Sequence, residues 1–176
     1  MEVPEPAIRV SNEGAQRMPD IGELVAEHYR AVYAYAYRLT GNANDAEDLV
    51  QHAFLIAQQK IDQLREASRA KSWLFRILRN CFLRSLEKKR PAAASDVAIE
   101  VADIAALDLV QEFDSELLQA AIDELPAEFK LVVVMFYFDQ LSYKEIAKEI
   151  DSPIGTVMSR LARAKAALRR RLARND

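Results

Sequence analysis

Seven bases, Arg160, Arg163, Lys165, Arg169, Arg170, Arg171 and Arg174, fall between residues 160 and 174 with no acid among them. The preceding residues have a pattern that can aim such charge. Ser142 and Glu145 stand in capping-box spacing, and Ile146, Ala147 and Ile150 form a short apolar stripe. A break at Asp151-Ser152 then leads to Pro153, a residue suited to a first helical turn. From there Ile154, Val157, Leu161, Ala164 and Leu168 make a second stripe, which leaves Thr156, Ser159, Arg160, Arg163 and Lys165 for the opposite face. A short helix, a tight turn and a longer helix with a polar, basic outer side is a helix-turn-helix, whose chemistry is hydrogen bonding to base edges and phosphates of duplex DNA. Arg160 can serve a guanine edge or a phosphate. Arg169 to Arg171 suit phosphate steering better than base reading.

A second polar set lies upstream. Arg65, Ser68, Arg69 and Lys71 occupy a loop, and Arg76, Arg79, Asn80 and Arg84 share one side of the helix that follows. Segment 21–90 carries twelve bases and eight acids, whereas seven acids and no base fall between residues 92 and 116. The overall charge of −3 hides this division, and for phosphate binding the local clusters decide.

Other chemistries lack material. Cys81 is the only cysteine and His28 and His52 the only histidines, so neither a disulfide nor a zinc site is expected. There is no Gly-rich phosphate loop and no paired His/carboxylate motif, so no enzyme, metal or cofactor is expected. The longest apolar run, Leu131 to Phe138, falls far short of a bilayer span of about 20 residues, and residues 1–20 do not read as a signal peptide. A cytoplasmic protein with no membrane insertion is the expectation.

These residues need helices to position them. Only four Gly and six Pro in 176 residues, with 51% hydrophobic residues, favour an all-α chain with a real core. Residues 1–20 read as a flexible tail. Periodicity predicts a helix over 21–39 ended by Gly41, and a second capped by Asn44 with Glu47 and burying Leu49, Val50, Ala53, Phe54 and Ala57. A third, with Ser68 as its cap, runs to about Lys89 and ends before Pro91; Trp73 lies on its apolar stripe and is assigned to the core. Residues 91–115 read as an acidic linker, and 116–176 as a second helical unit. Within that unit, 131–138 has strand-like composition but helical neighbours, and is read as helix. The architecture expected is two small helical domains, 21–90 and 116–176, joined by a flexible linker.

Three stretches resemble one family in its order. Leu141-Ser-Tyr-Lys-Glu-Ile-Ala147 with Pro153, Gly155-Thr-Val157 and Ser159-Arg-Leu161 is similar to region 4 of extracytoplasmic-function sigma factors. Asp45-Ala-Glu-Asp-Leu-Val-Gln51 with Phe54, and Ser72-Trp-Leu-Phe-Arg-Ile-Leu-Arg-Asn80, resemble their region 2. The resemblance covers about 21–173. It implies a subunit that docks on core RNA polymerase through Asp45, Glu47, Asp48 and Gln51. It further implies capture of the minus-ten promoter element as a single strand by Arg65, Ser68, Arg69, Lys71, Arg76, Arg79, Asn80 and Arg84. Upstream duplex would be read by Thr156, Ser159, Arg160, Arg163 and Lys165. An anti-sigma factor is the further partner implied. Met158 stands where the family often has Lys, His52 where an acid is common, and loop 65–71 lacks a frequent Gly. The rival reading, a stand-alone helix-turn-helix regulator, needs an effector domain in 1–115, where three helices with an Arg-lined face are expected instead.

Overall fold

Helix α1, Ile21–Thr40, begins where Asp20 accepts from the Glu23 amide while Glu23 returns a bond to the Asp20 amide, a reciprocal cap that satisfies two otherwise orphaned donors. Asp20 had been expected in the tail; it is instead the start of the fold. The helix stops at Gly41, whose φ of 77° is left-handed and whose amide donates to the Tyr37 carbonyl. The computed structural model describes residues 17–89 and 115–173, and all regular elements there are helical. The expected 91–115 linker and most of the 1–20 tail lie outside the described residues.

Helix α2, Ala43–Gln59, is capped by Asn42 rather than by the expected Asn44: the Asn42 side chain accepts from the Asp45 amide at 2.8 Å. Both asparagines suit the role, but Gly41 ends α1 and leaves Asn42 extended (φ −145°, ψ 155°), as a cap requires. Two 3-10 turns, Ile61–Gln63 and Ala67–Arg69, carry the chain to α3, Ala70–Lys89. Ser68 lies inside the second turn and is not the cap of α3. Trp73 packs, half-buried, against the core, as its stripe position implied.

The second half comprises α4 (Ser115–Asp123), α5 (Ala127–Tyr137), α6 (Tyr143–Glu149) and α7 (Ile154–Leu172). Six consecutive residues of α5, Lys130 to Met135, are buried, so this helix is covered on all sides. Its three valines each cost a helix about half a kcal/mol relative to Ala, whereas burying each contributes roughly 1.5–3 kcal/mol. Burial outweighs propensity, and the strand-like sequence is helical. The two halves share one apolar cluster, from Val32 and Leu39 in α1 through Leu78 in α3 to Val133 in α5 and Leu161 in α7. α1 packs against both α4 and α5.

Candidate nucleic-acid interface

The helix-turn-helix forms as its spacing required. The Ser142 hydroxyl accepts from the Glu145 amide, and the Glu145 carboxylate accepts from the Ser142 hydroxyl at 2.6 Å and the Ser142 amide at 2.8 Å; the hydroxyl bond first, then the amide bond, hold the Glu145 carboxyl below its ordinary pKa. Asp151 takes a left-handed φ of 49° and turns the chain, and Pro153 opens α7. Val157, Leu161, Ala164 and Leu168 fasten α7 to the core, leaving Pro153, Ile154 and Gly155 exposed at its leading end. Thr156 and Ser159 follow, half-buried, with the Ser159 hydroxyl donating to the Thr156 carbonyl at 3.0 Å.

The basic residues of α7 do not all face outward as expected. Lys165 is buried, its ammonium 5.1 Å from the Phe136 ring centroid and 5.7 Å from that of Tyr137. The reason is that α7 leans its flank on the aromatic end of α5, and burial lowers the Lys165 pKa, with Arg169 adding to the effect. Arg160 has a side chain only 16% exposed and pairs with Glu128 of α5 at 3.1 Å. Arg163 is half-buried, and Arg170 is exposed.

In the first half, Ser72, Arg76, Asn80 and Arg84 succeed one another at four-residue steps and form an exposed stripe along α3. Arg65, Ser68, Arg69 and Lys71 are exposed around its start, with Arg69 held by Glu66 at 2.8 Å. Arg79 departs from the expected outer face. Its guanidinium lies between the halves, donating to Asp139 at 2.6 Å and to Glu149 at 2.9 Å, and its side chain is 7% exposed. Glu149 uses its other oxygen for Arg76 at 3.0 Å. Asp139 also accepts from the Tyr35 hydroxyl at 2.9 Å. Burial, then the neighbouring Asp139 carboxylate, drive the Tyr35 phenol far above its ordinary pKa, so it stays a donor. Burial raises Asp139, with Arg79 and Tyr35 opposing. Burial works the same way on Glu149, but there the hydrogen bond and charge of Arg79, then Arg76, overcome it and hold the pKa below 4.5. A cleft of about 470 Å³ is lined by Arg65, Arg69, Arg76 and Arg79 from one half and Leu141, Glu145 and Glu149 from the other.

Asp45, Glu47, Asp48 and Gln51 are all exposed on α2. The face they share continues to Leu55, four residues beyond Gln51, with 59% of its surface exposed. An exposed leucine inside a polar face was a signal available in the sequence. Tyr35, Asp139 and Glu149 offered no such signal, because their relation to Arg79 spans distant parts of the chain. Among the described residues no group of three His, Cys, Asp or Glu is placed to hold a metal ion, and no helix is long and apolar enough to cross a membrane.

Residues 24–92 match the family described as Sigma-70 region 2, and residues 115–168 match Sigma-70, region 4. The chain is 33% identical over 163 residues to the ECF RNA polymerase sigma factor SigW of Bacillus subtilis, a match covering 85% of this chain and 87% of that protein. It is 32% identical to the ECF RNA polymerase sigma factor SigL of Mycobacterium tuberculosis, covering 92% of this chain and 93% of that one. A 37% identical relative, the ECF RNA polymerase sigma factor SigE of Mycolicibacterium smegmatis, is matched over 90% of this chain, which spans 64% of that relative's length. Among solved structures, the sigma factor RpoE of Bartonella quintana, in complex with the anti-sigma factor NepR, superposes with a TM-score of 0.59 at 30% identity, over 85% of this chain and 94% of that one.

Proposed function

This chain belongs to the extracytoplasmic-function family of RNA polymerase sigma factors, and we propose that it binds core RNA polymerase and directs promoter-specific initiation of transcription. The observation that carries the reading is the presence in one chain of a helix-turn-helix, α6–α7, and a separate exposed polar stripe on α3. Such a chain can grip two stretches of one promoter.

In this reading residues 21–90 take the minus-ten element, 91–115 form the acidic link, and 116–176 take the upstream element. The exposed leading end of α7, with Thr156 and Ser159, suits entry into a major groove, where hydroxyls bond base edges or phosphates. Arg160 and Arg163 flank that end and provide charge beside it. Lys165, being buried against Phe136, is left out of the contact set. Arg65, Arg69, Lys71, Arg76, Asn80 and Arg84 form a basic track for a single strand, with Ser68 as a neutral hydrogen-bonding member. Arg79 joins them once the two halves separate. Asp45, Glu47, Asp48 and Gln51, together with Leu55, form the polymerase-docking face: charge for register and an apolar centre for affinity. Catalysis then belongs to the polymerase and not to this chain, which acts in the cytoplasm. An anti-sigma factor would control it, as the complexed Bartonella relative suggests.

The test is run-off transcription from a genomic fragment library with bacterial core polymerase. Discrete transcripts that require this chain and are lost with Arg76→Ala/Arg84→Ala are expected. Specific duplex binding by the chain alone, with no core-dependent transcript, would refute the proposal in favour of a stand-alone regulator.

A further inference from the structure

Ile154 is one of the few large apolar side chains left open to solvent among the described residues, with 42% of its surface exposed. It stands in the first turn of α7, the end that leads the helix-turn-helix, between exposed Pro153 and exposed Gly155. A Cβ built on Gly155 would meet nothing within 4 Å, so the space beside Ile154 is open. A single exposed isoleucine is ordinary on a protein surface. This one has neighbours of its own kind. Met158 and Ala162 follow at four-residue steps, both half-buried, so one flank of the leading end is apolar over two turns.

The polar groups of the same end are drawn elsewhere. The Arg160 guanidinium pairs with Glu128 at 3.1 Å, the Ser159 hydroxyl donates to the Thr156 carbonyl at 3.0 Å, and Lys165 is buried against Phe136. Met158 has no charge to offer a phosphate. An apolar flank is stabilised by covering another apolar surface. The floor of a major groove has one such group, the C5 methyl of thymine, which the other three bases lack. We propose that Ile154 and Met158, with Ala162 beside them, read thymine methyl groups in the upstream promoter element, so that these side chains set part of the promoter specificity of this chain.

This rests on the reading of the chain as a sigma factor whose α7 enters duplex DNA, and it adds the kind of base pair that α7 selects. Phosphate contacts hold such a helix in the groove without choosing a sequence. A methyl contact does choose. Exchanging the thymine pair for a G·C or C·G pair removes the methyl group, and reversing the pair moves it to the other strand.

The experiment uses holoenzyme assembled from the full chain and bacterial core polymerase, on a promoter fragment recovered from the run-off library. The fragment is made in two forms, one with thymidine throughout and one with deoxyuridine in place of thymidine only in the duplex upstream of the melted segment. Deoxyuridine keeps every hydrogen-bonding group and removes only the methyl. Binding is measured by titrating holoenzyme against each form. The deoxyuridine form should bind about fourfold more weakly for each methyl group contacted, the effect of leaving one methylene-sized group uncovered. Ile154→Ala/Met158→Ala should bind the thymidine form at least fourfold more weakly than wild type and should bind the two forms alike. The slope of log affinity against log salt should be the same for variant and wild type, because no charge is removed. Equal binding of both forms by the wild-type chain would overturn the proposal. So would a deoxyuridine effect that persists in the variant, since it would then come from DNA shape or from another residue. Helical circular dichroism checks the fold; should the double variant unfold, Ile154→Ala alone is read in the same way. Chain-dependent transcripts that are indifferent to deoxyuridine would remove the methyl contact and leave the sigma function standing. Absence of any chain-dependent transcript from the library would count against both.

Discussion

Gly41 lies directly against Asp123 of the second half, and Gly41→Ala measures what that close approach contributes. Two costs follow from the geometry. The first is local: φ of 77° is left-handed, and a Cβ there costs about 1–2 kcal/mol. The second is between halves: the added Cβ would sit 2.5 Å from one carboxylate oxygen of Asp123 and 2.8 Å from its carboxyl carbon, distances that real Cβ atoms do not tolerate. The Asp123 side chain can swing away, but it then gives up the bonds from Gln119 at 2.9 Å and Lys130 at 3.4 Å. Lys130 is itself buried, so losing that partner adds about 1 kcal/mol. The sum is about 2–3 kcal/mol, or a fall in Tm of roughly 4–12 °C for a chain of this size. Thermal unfolding followed by circular dichroism gives the total. The two parts separate in a double-mutant cycle. In an Asp123→Ala background, Gly41→Ala should retain only the backbone cost, giving a coupling of about 1 kcal/mol. Gly41→Asn should recover part of the backbone cost, since asparagine accepts the left-handed region. A Gly41→Ala protein with unchanged Tm, or with the same loss in both backgrounds, would refute the reasoning.

Three further outcomes are expected. Asn42→Ala removes the side chain that accepts from the Asp45 amide and should cost about 1 kcal/mol by chemical denaturation, while Asn44→Ala should cost far less. Met135→Ala, at a residue with no exposed surface, should cost about 2–5 kcal/mol in the same assay. Glu149 has its carboxyl held below 4.5, so its contribution is present above that value and is lost as pH falls through the lowered one. Glu149→Gln should therefore be less stable than wild type at neutral pH and should flatten the rise of stability with pH below pH 4.5, measured by urea denaturation at a series of pH values.

What the sequence determined by itself was what neighbours three or four residues apart can decide. The left-handed stop at Gly41, the Ser142–Glu145 box, the apolar stripe of α7 and the exposure of Arg76, Asn80 and Arg84 on one side of α3 all depend on one helix's own period, so local pattern was enough. The N-cap of α2 shows the limit of that legibility. Asn42 and Asn44 are chemically equal, and the choice went to the residue that the end of α1 left extended. The tertiary structure decided everything that depends on which faces meet. Burial on every side made a helix of the valine run in α5. The lean of α7 on Phe136 and Tyr137 hid Lys165, which its own helical period assigned to the outside. Arg79 and Asp139 lie sixty residues apart and carry no mutual signal in the chain. A buried guanidinium must find carboxylates to keep its charge, and only the packing of α5 and α6 against α3 supplied them.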